Sequence, residues 1–73
     1  MKEEIRLREG DDFIKLGQLL KKAGVAGAGS DAKMLIEGGE VSVNGEIELR
    51  RGRKCYPGDE ICFADRVFKV VSP

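Results

Sequence analysis

Ser30-Asp-Ala-Lys-Met-Leu-Ile-Glu-Gly-Gly-Glu-Val-Ser-Val-Asn-Gly45 is the stretch from which the fold of this chain is read. Ser30 reads as an N-cap, its hydroxyl able to accept from the free N–H groups of the next turn. Asp31 then puts negative charge at the positive end of a helix. Ala32, Leu35 and Ile36 recur at i, i+3 and i+4, the period of one buried helical face. Gly38 and Gly39 stop that helix, because glycine enters the left-handed region without a Cβ penalty. Val41 and Val43 alternate around Ser42 as a half-buried strand. Asn44-Gly45 is the strongest short hairpin signal, since a type I′ turn needs positive φ at both central residues. A short helix therefore feeds directly into a hairpin, and the flanking segments pack around that unit.

Working outward toward the N-terminus, Ile5 and Leu7 alternate with Glu4, Arg6 and Arg8, a short strand at a sheet edge over residues 4–8. Gly10-Asp11-Asp12 is a turn. Leu16, Leu19, Leu20 and Ala23 make the apolar stripe of a first helix ended by Gly24, with Lys15, Gln18 and Lys22 along one flank at 100° per residue. Gly17 near its first turn costs about 1 kcal/mol against alanine unless a close contact there needs it. Residues 25–29 connect the helices.

Toward the C-terminus, Ile47 and Leu49 alternate with Glu46 and Glu48 in the second hairpin strand, and the acids are expected to face away from the loop that follows. Arg50 to Lys54 form a basic loop around Gly52. Tyr56-Pro57-Gly58-Asp59 has the residues of a type II bend. Ile61 and Phe63, then Phe68 and Val70, mark two further strands. The predicted order is β-α-α-β-β-β-β: an α+β fold of two short helices on a small antiparallel sheet. Leu16, Leu19, Leu20, Leu35, Ile36, Val43 and Ile61 are expected to share its core.

With 73 residues the chain is expected to form one domain, residues 1–73. At this size folding buries only about 60% of the unfolded surface. Hydrophobic residues at 41% are too many for a disordered chain. No apolar run approaches the roughly 20 residues that span a bilayer. The start Met1-Lys2-Glu3-Glu4 is too polar for a signal peptide, so a cytoplasmic protein without a membrane role is expected. Cys55 and Cys62 are the only cysteines and there is no histidine. Two thiols alone make no four-ligand zinc site, so no metal is expected and both cysteines read as reduced, small apolar residues.

Catalysis has little to stand on. The commonest general base is missing, and the acids lie in turns and on solvent faces. The chain reads as a non-enzyme without a cofactor. Gly24-Val-Ala-Gly-Ala-Gly29-Ser30 lacks the lysine of a Walker A loop, and a helix rather than a strand precedes it, which also argues against a dinucleotide fingerprint.

Net charge is zero, but it is sorted along the chain. Residues 37–49 carry only acids, Glu37, Glu40, Glu46 and Glu48, whereas Arg50, Arg51, Arg53 and Lys54 follow with no acid among them. Lys33 in the first turn of the second helix and Lys15 and Lys22 on the first add to this basic set. Arginine forks and lysine charges near helix termini are what a phosphate backbone requires. Tyr56 is the single aromatic outside the expected core, too few for a single-strand stacking platform. Shape and phosphate geometry of a folded RNA fit better.

Three blocks carry a resemblance: Leu16-Gly-Gln-Leu-Leu-Lys-Lys-Ala-Gly24, Ala32 to Glu46, and Arg50-Arg-Gly-Arg-Lys-Cys-Tyr-Pro-Gly-Asp59. In this order and spacing they resemble the RNA-binding domain named after ribosomal protein S-four, and more closely the small stand-alone bacterial proteins built of little else. The likeness covers about residues 13–63. It implies two helices on a strongly bent antiparallel sheet and RNA binding through the helical face and adjoining loop; the leading expectation is a monomeric module for structured RNA, such as ribosomal or transfer RNA. Matched position by position, the RNA-facing residues are Lys22, Lys33, Arg50, Arg51, Arg53 and Lys54. Two features depart from the family: Lys15-Leu16-Gly17 stands for an Arg-Leu-Asp triplet, and Ala28-Gly29 for Ser-Arg. The alternative is a protein–protein interaction module on the same fold.

Overall fold

The computed structural model describes residues 2–73. Strand β1 (Lys2–Arg6) leads to a two-residue strand β2 (Ile14–Lys15), helix α1 (Leu16–Lys22) and helix α2 (Gly29–Glu37). Strands β3 (Val41–Val43), β4 (Glu46–Ile47), β5 (Lys54–Cys55), β6 (Glu60–Phe63) and β7 (Arg66–Val71) follow. Five strands form one sheet in the order β1-β7-β6-β3-β4, and β2 and β5 form a separate two-stranded ladder. The α+β class and both helices agree with the sequence reading; β2 and β5 are additional, because two residues are too few to display a period.

The Asn44-Gly45 hairpin forms as its residues dictate, with φ of 52° and 88° at the two positions. It pairs Val43 with Glu46 and Ser42 with Ile47. β3 and β6 pair antiparallel, as do β6 and β7. The sheet is nevertheless mixed, because β1 lies parallel to β7, from Lys2 opposite Val67 to Arg6 opposite Val71. Parallel neighbours need a long crossover, and here nearly the whole chain supplies it.

Leu16, Leu19, Leu20, Ile36, Val41, Ile61, Phe68, Val70 and Cys55 are fully buried, with Val43, Ile5 and Leu7 beside them. Leu35, expected in the centre, is half-buried against that core, since α2 turns Ala32 and Ile36 inward instead. The N-cap of α2 is likewise displaced. Ala28, extended at φ −142° and ψ 164°, holds that position without a side-chain bond, so Ser30 lies inside the first turn. Asp31 keeps its place there. Cys55 and Cys62 are free thiols, and burial pushes Cys55 up to about 11. No helix among the described residues is long and apolar enough to cross a membrane.

Candidate nucleic-acid interface

Helix α1 begins at Leu16 with Lys15 as its N-cap, and no side chain caps it. Free N–H groups at a helix start need acceptors, and the basic loop supplies them from its backbone. The Leu16 N–H donates to the Arg53 carbonyl and the Gly17 N–H to the Arg51 carbonyl, both at 2.9 Å. Just before the helix, β2 pairs with β5, placing Ile14 opposite Cys55 and Lys15 opposite Lys54. The loop is thus fastened to the start of α1 on both sides. A Cβ at Gly17 would lie 3.5 Å from the Arg51 carbonyl, ordinary contact distance, so the close approach tolerates glycine there without demanding it.

Two open clefts flank the loop. One is lined by Lys15, Gly17, Gln18, Lys21, Arg51 and Gly52. The other, of about 530 Å³, is lined by Arg50, Gly52, Arg53, Lys54 and Tyr56. Four of the six residues singled out from sequence, Arg50, Arg51, Arg53 and Lys54, therefore stand around one loop. Lys33 is exposed on α2 and lines neither cleft. Lys22 turns the other way, its ammonium donating to the Arg6 carbonyl. Lys21 borders the first cleft and was missed; Lys15, counted in the basic set on the flank of α1, borders the same cleft from β2 instead. Like charges directly opposite across a ladder are unfavourable, so the pairing of Lys15 with Lys54 gathers positive potential at some cost.

Glu48 corrects the expectation that the acids face elsewhere. Glu46 is exposed, but Glu48 is buried at 7% exposure, while Ile47 and Leu49 stand outward at 67% and 56%. Glu48 Oε1 accepts from Arg53 Nη1 at 2.9 Å and Arg50 Nη2 at 3.2 Å. Its Oε2 accepts from Arg50 Nε at 3.0 Å and from the Arg50 backbone N–H at 3.1 Å. These bonds, Arg50's first and Arg53's next, hold the Glu48 carboxyl down at about 2 against an ordinary 4.5, and raise both arginines in turn. An acid two and five residues before the two arginines was the local signal for this triad. It makes the arginine pair a pre-oriented unit and leaves Arg51 and Lys54 without an acidic partner among the described residues.

Tyr56 sits at the edge of the second cleft, 47% exposed. Its ring packs on Phe13 at 5.8 Å between centroids, tilted by 50°. The Lys54 ammonium lies 5.0 Å from the Phe13 ring centre, near enough for a cation–π attraction. The expected bend holds Tyr56 in place: Asp59 N–H donates to the Tyr56 carbonyl at 2.9 Å, and Gly58 has φ of 97°. In return the Tyr56 N–H donates to Asp59 Oδ2 at 2.8 Å. Asn44 Nδ2 donates to Asp59 Oδ1 at 3.1 Å, tying this bend to the hairpin turn. No group of three or more potential metal ligands occurs among the described residues.

Comparison with known proteins places this geometry in context. A family model described as the S4 domain matches residues 5–71, the type that the sequence motifs resemble. The "Probable ribosome maturation protein RlbA" of Bacillus subtilis (strain 168) is 48% identical over 50 residues, 68% of this chain and 70% of its own. YbcJ of Escherichia coli (strain K12) is 36% identical over 59 residues, 81% of this chain and 84% of its own. The solution structure of YbcJ from E. coli, described as revealing an alfaL motif involved in RNA-binding, superposes with a TM-score of 0.68. That match has 32% sequence identity and covers 93% of this chain and 85% of the other.

Proposed function

We propose a function whose premise is family membership: the chain belongs to the S4 domain family, and it binds structured RNA without catalysing a reaction. Arg51 and Lys54 supply unpaired charge to phosphates, Lys15 and Lys21 extend that surface along α1, and Arg50 and Arg53 present forks oriented by Glu48. Lys33, exposed outside the two clefts, serves as an outlying contact on a longer RNA, whereas Lys22, bonded to the Arg6 carbonyl, is left out of this surface. The observation that carries this reading is the docking of the basic loop, by two backbone hydrogen bonds, onto the first turn of α1. It holds loop arginines and helix lysines as one rigid surface, and phosphate contacts by such groups fix register and orientation. The name of the B. subtilis relative favours ribosomal RNA as the class of target.

The test reverses Arg51 and Lys54 together to Glu. Reversing Arg51 with Arg53 is a poorer test, because a second acid at position 53 would face the buried Glu48. The double variant is expected to lose binding to structured ribosomal RNA fragments, with its unfolding free energy within about 0.5 kcal/mol per substitution of the parent. Neutralising one phosphate-contacting cation should lower the salt slope by roughly 0.7–0.9. Binding equal to the parent's would refute the RNA surface. The exposed Met34, Ile47 and Leu49 would then favour the protein-interaction module.

A further inference from the structure

We propose that the cleft between the basic loop and Tyr56 seats one unpaired nucleotide of the bound RNA, its base stacked on Tyr56 and its phosphate held among Arg50, Arg53 and Lys54. This seat presupposes the RNA-binding reading above and specifies what kind of RNA the surface prefers. Tyr56 is nearly half exposed in a chain that otherwise buries or half-buries its aromatic rings. It is also held firmly, by Phe13 on the ring and by the Asp59 carboxylate on its backbone N–H. A fixed, open aromatic ring costs little ordering when a base lands on it.

The lining supplies the rest of a nucleotide's requirements. Three cations and the Gly52 backbone complete the cleft, and its volume of about 530 Å³ lies within the about 300–1,000 Å³ usual for small-molecule seats. The platform has room for one base only. The neighbouring ring, Phe13, is engaged by Tyr56 and by the Lys54 ammonium, so no second open ring continues the stack. A fully paired helix keeps its bases stacked inside and leaves Tyr56 unused. A folded RNA with a single extruded nucleotide, such as a one-base bulge, uses both the ring and the cations. Because every base has a π-face, the seat tolerates any of the four bases.

The test compares two RNA hairpins that share one stem, fully paired or with a single-nucleotide bulge, the bulge carrying each base in turn or 2-aminopurine. The full-length parent is expected to bind the bulged hairpin roughly five- to 150-fold more tightly, the range that one stacked base contributes. 2-Aminopurine emission should fall on binding. Tyr56→Phe retains both effects. Tyr56→Ala loses both while binding the paired hairpin as the parent does, and Tyr56→Leu, which keeps apolar contact with Phe13, behaves as Ala does. Equal parental affinity for the two hairpins overturns the seat and leaves the RNA surface standing, as does a bulge preference that survives in the Leu variant. If the parent binds neither hairpin, both readings fall, whereas Arg51→Glu with Lys54→Glu should abolish binding to both.

Discussion

Replacing Glu48 with Gln should destabilise the protein by about 1–2 kcal/mol at pH 7. Hydrogen bonds to charged groups contribute about 1.5–3 kcal/mol, but solvent discounts them here. The Arg50 side chain is 76% exposed, so its pairing is screened and contributes little, whereas that of Arg53 is only 30% exposed. Glutamine also retains one carbonyl oxygen as an acceptor. For a domain of this size the loss corresponds to a fall in Tm of about 5–15 °C, readable by thermal unfolding. The pH dependence separates charge from packing. The folded Glu48 carboxyl sits at about 2, below its ordinary 4.5, so its contribution is complete above 4.5 and disappears as pH falls through 2. The stability gap between parent and variant should therefore be constant near neutrality and close between pH 4.5 and 2. Glu3 and Glu60 are also lowered, by Arg66 and Lys2, but both proteins retain them and their effect cancels in the difference. A gap below about 0.3 kcal/mol at pH 7, an immeasurable difference beside ordinary surface substitutions, would refute the pairing. A gap that persists unchanged to pH 2 would show that the carboxylate's charge is not its source.

Gly45→Val should lower the urea midpoint, because a left-handed conformation at φ 88° costs an L-residue about 1–2 kcal/mol. A Cβ there meets nothing within 4 Å, so an unchanged midpoint would mean that the turn relaxes freely. Ile61→Ala should cost about 2–5 kcal/mol, and Leu35→Ala, only half-buried, should cost clearly less. Denaturant unfolding of the pair in parallel checks this, and an equal or larger loss for Leu35 would contradict the packing of α2.

The helices and the central hairpin were legible because each repeats a signal. The stripe Leu16, Leu19, Leu20 has a helical period, and Asn44-Gly45 admits few conformations other than its turn. Ser30 misled because several small polar and glycine residues near a helix start offer competing caps, and the backbone was already extended at Ala28. Glu48 was misread for a different reason. The strand ends at Ile47, with Glu46 and Ile47 both exposed, so the expected alternation does not reach Glu48. The usual rule buries the apolar side. Here two arginines from the following loop enclose the acid, a contact made after the strand has ended. The long-range register that sets Lys15 against Lys54 was equally invisible, because β2 and β5 are each two residues long.

Zero net charge does not by itself favour a polyanion ligand, but the ion pairs leave that charge unevenly distributed. Lys2 pairs with Glu60, Arg6 with Glu4 and Arg66 with Glu3, all on the sheet strands β1, β6 and β7. There the acids are spent on neighbouring cations. Around the loop the only paired acid among the described residues is Glu48, shared by Arg50 and Arg53, and Lys15, Lys21, Arg51 and Lys54 stand without one. Beyond a Debye length of about 8 Å at physiological ionic strength, exposed charges are largely screened. A phosphate at the loop therefore responds to the nearby unpaired cations, partly offset by Asp59, whose carboxylate holds the Tyr56 N–H beside the second cleft. The same backbone carbonyls that cap α1 keep those cations in place, so the field is a property of the fold rather than of a mobile basic tail.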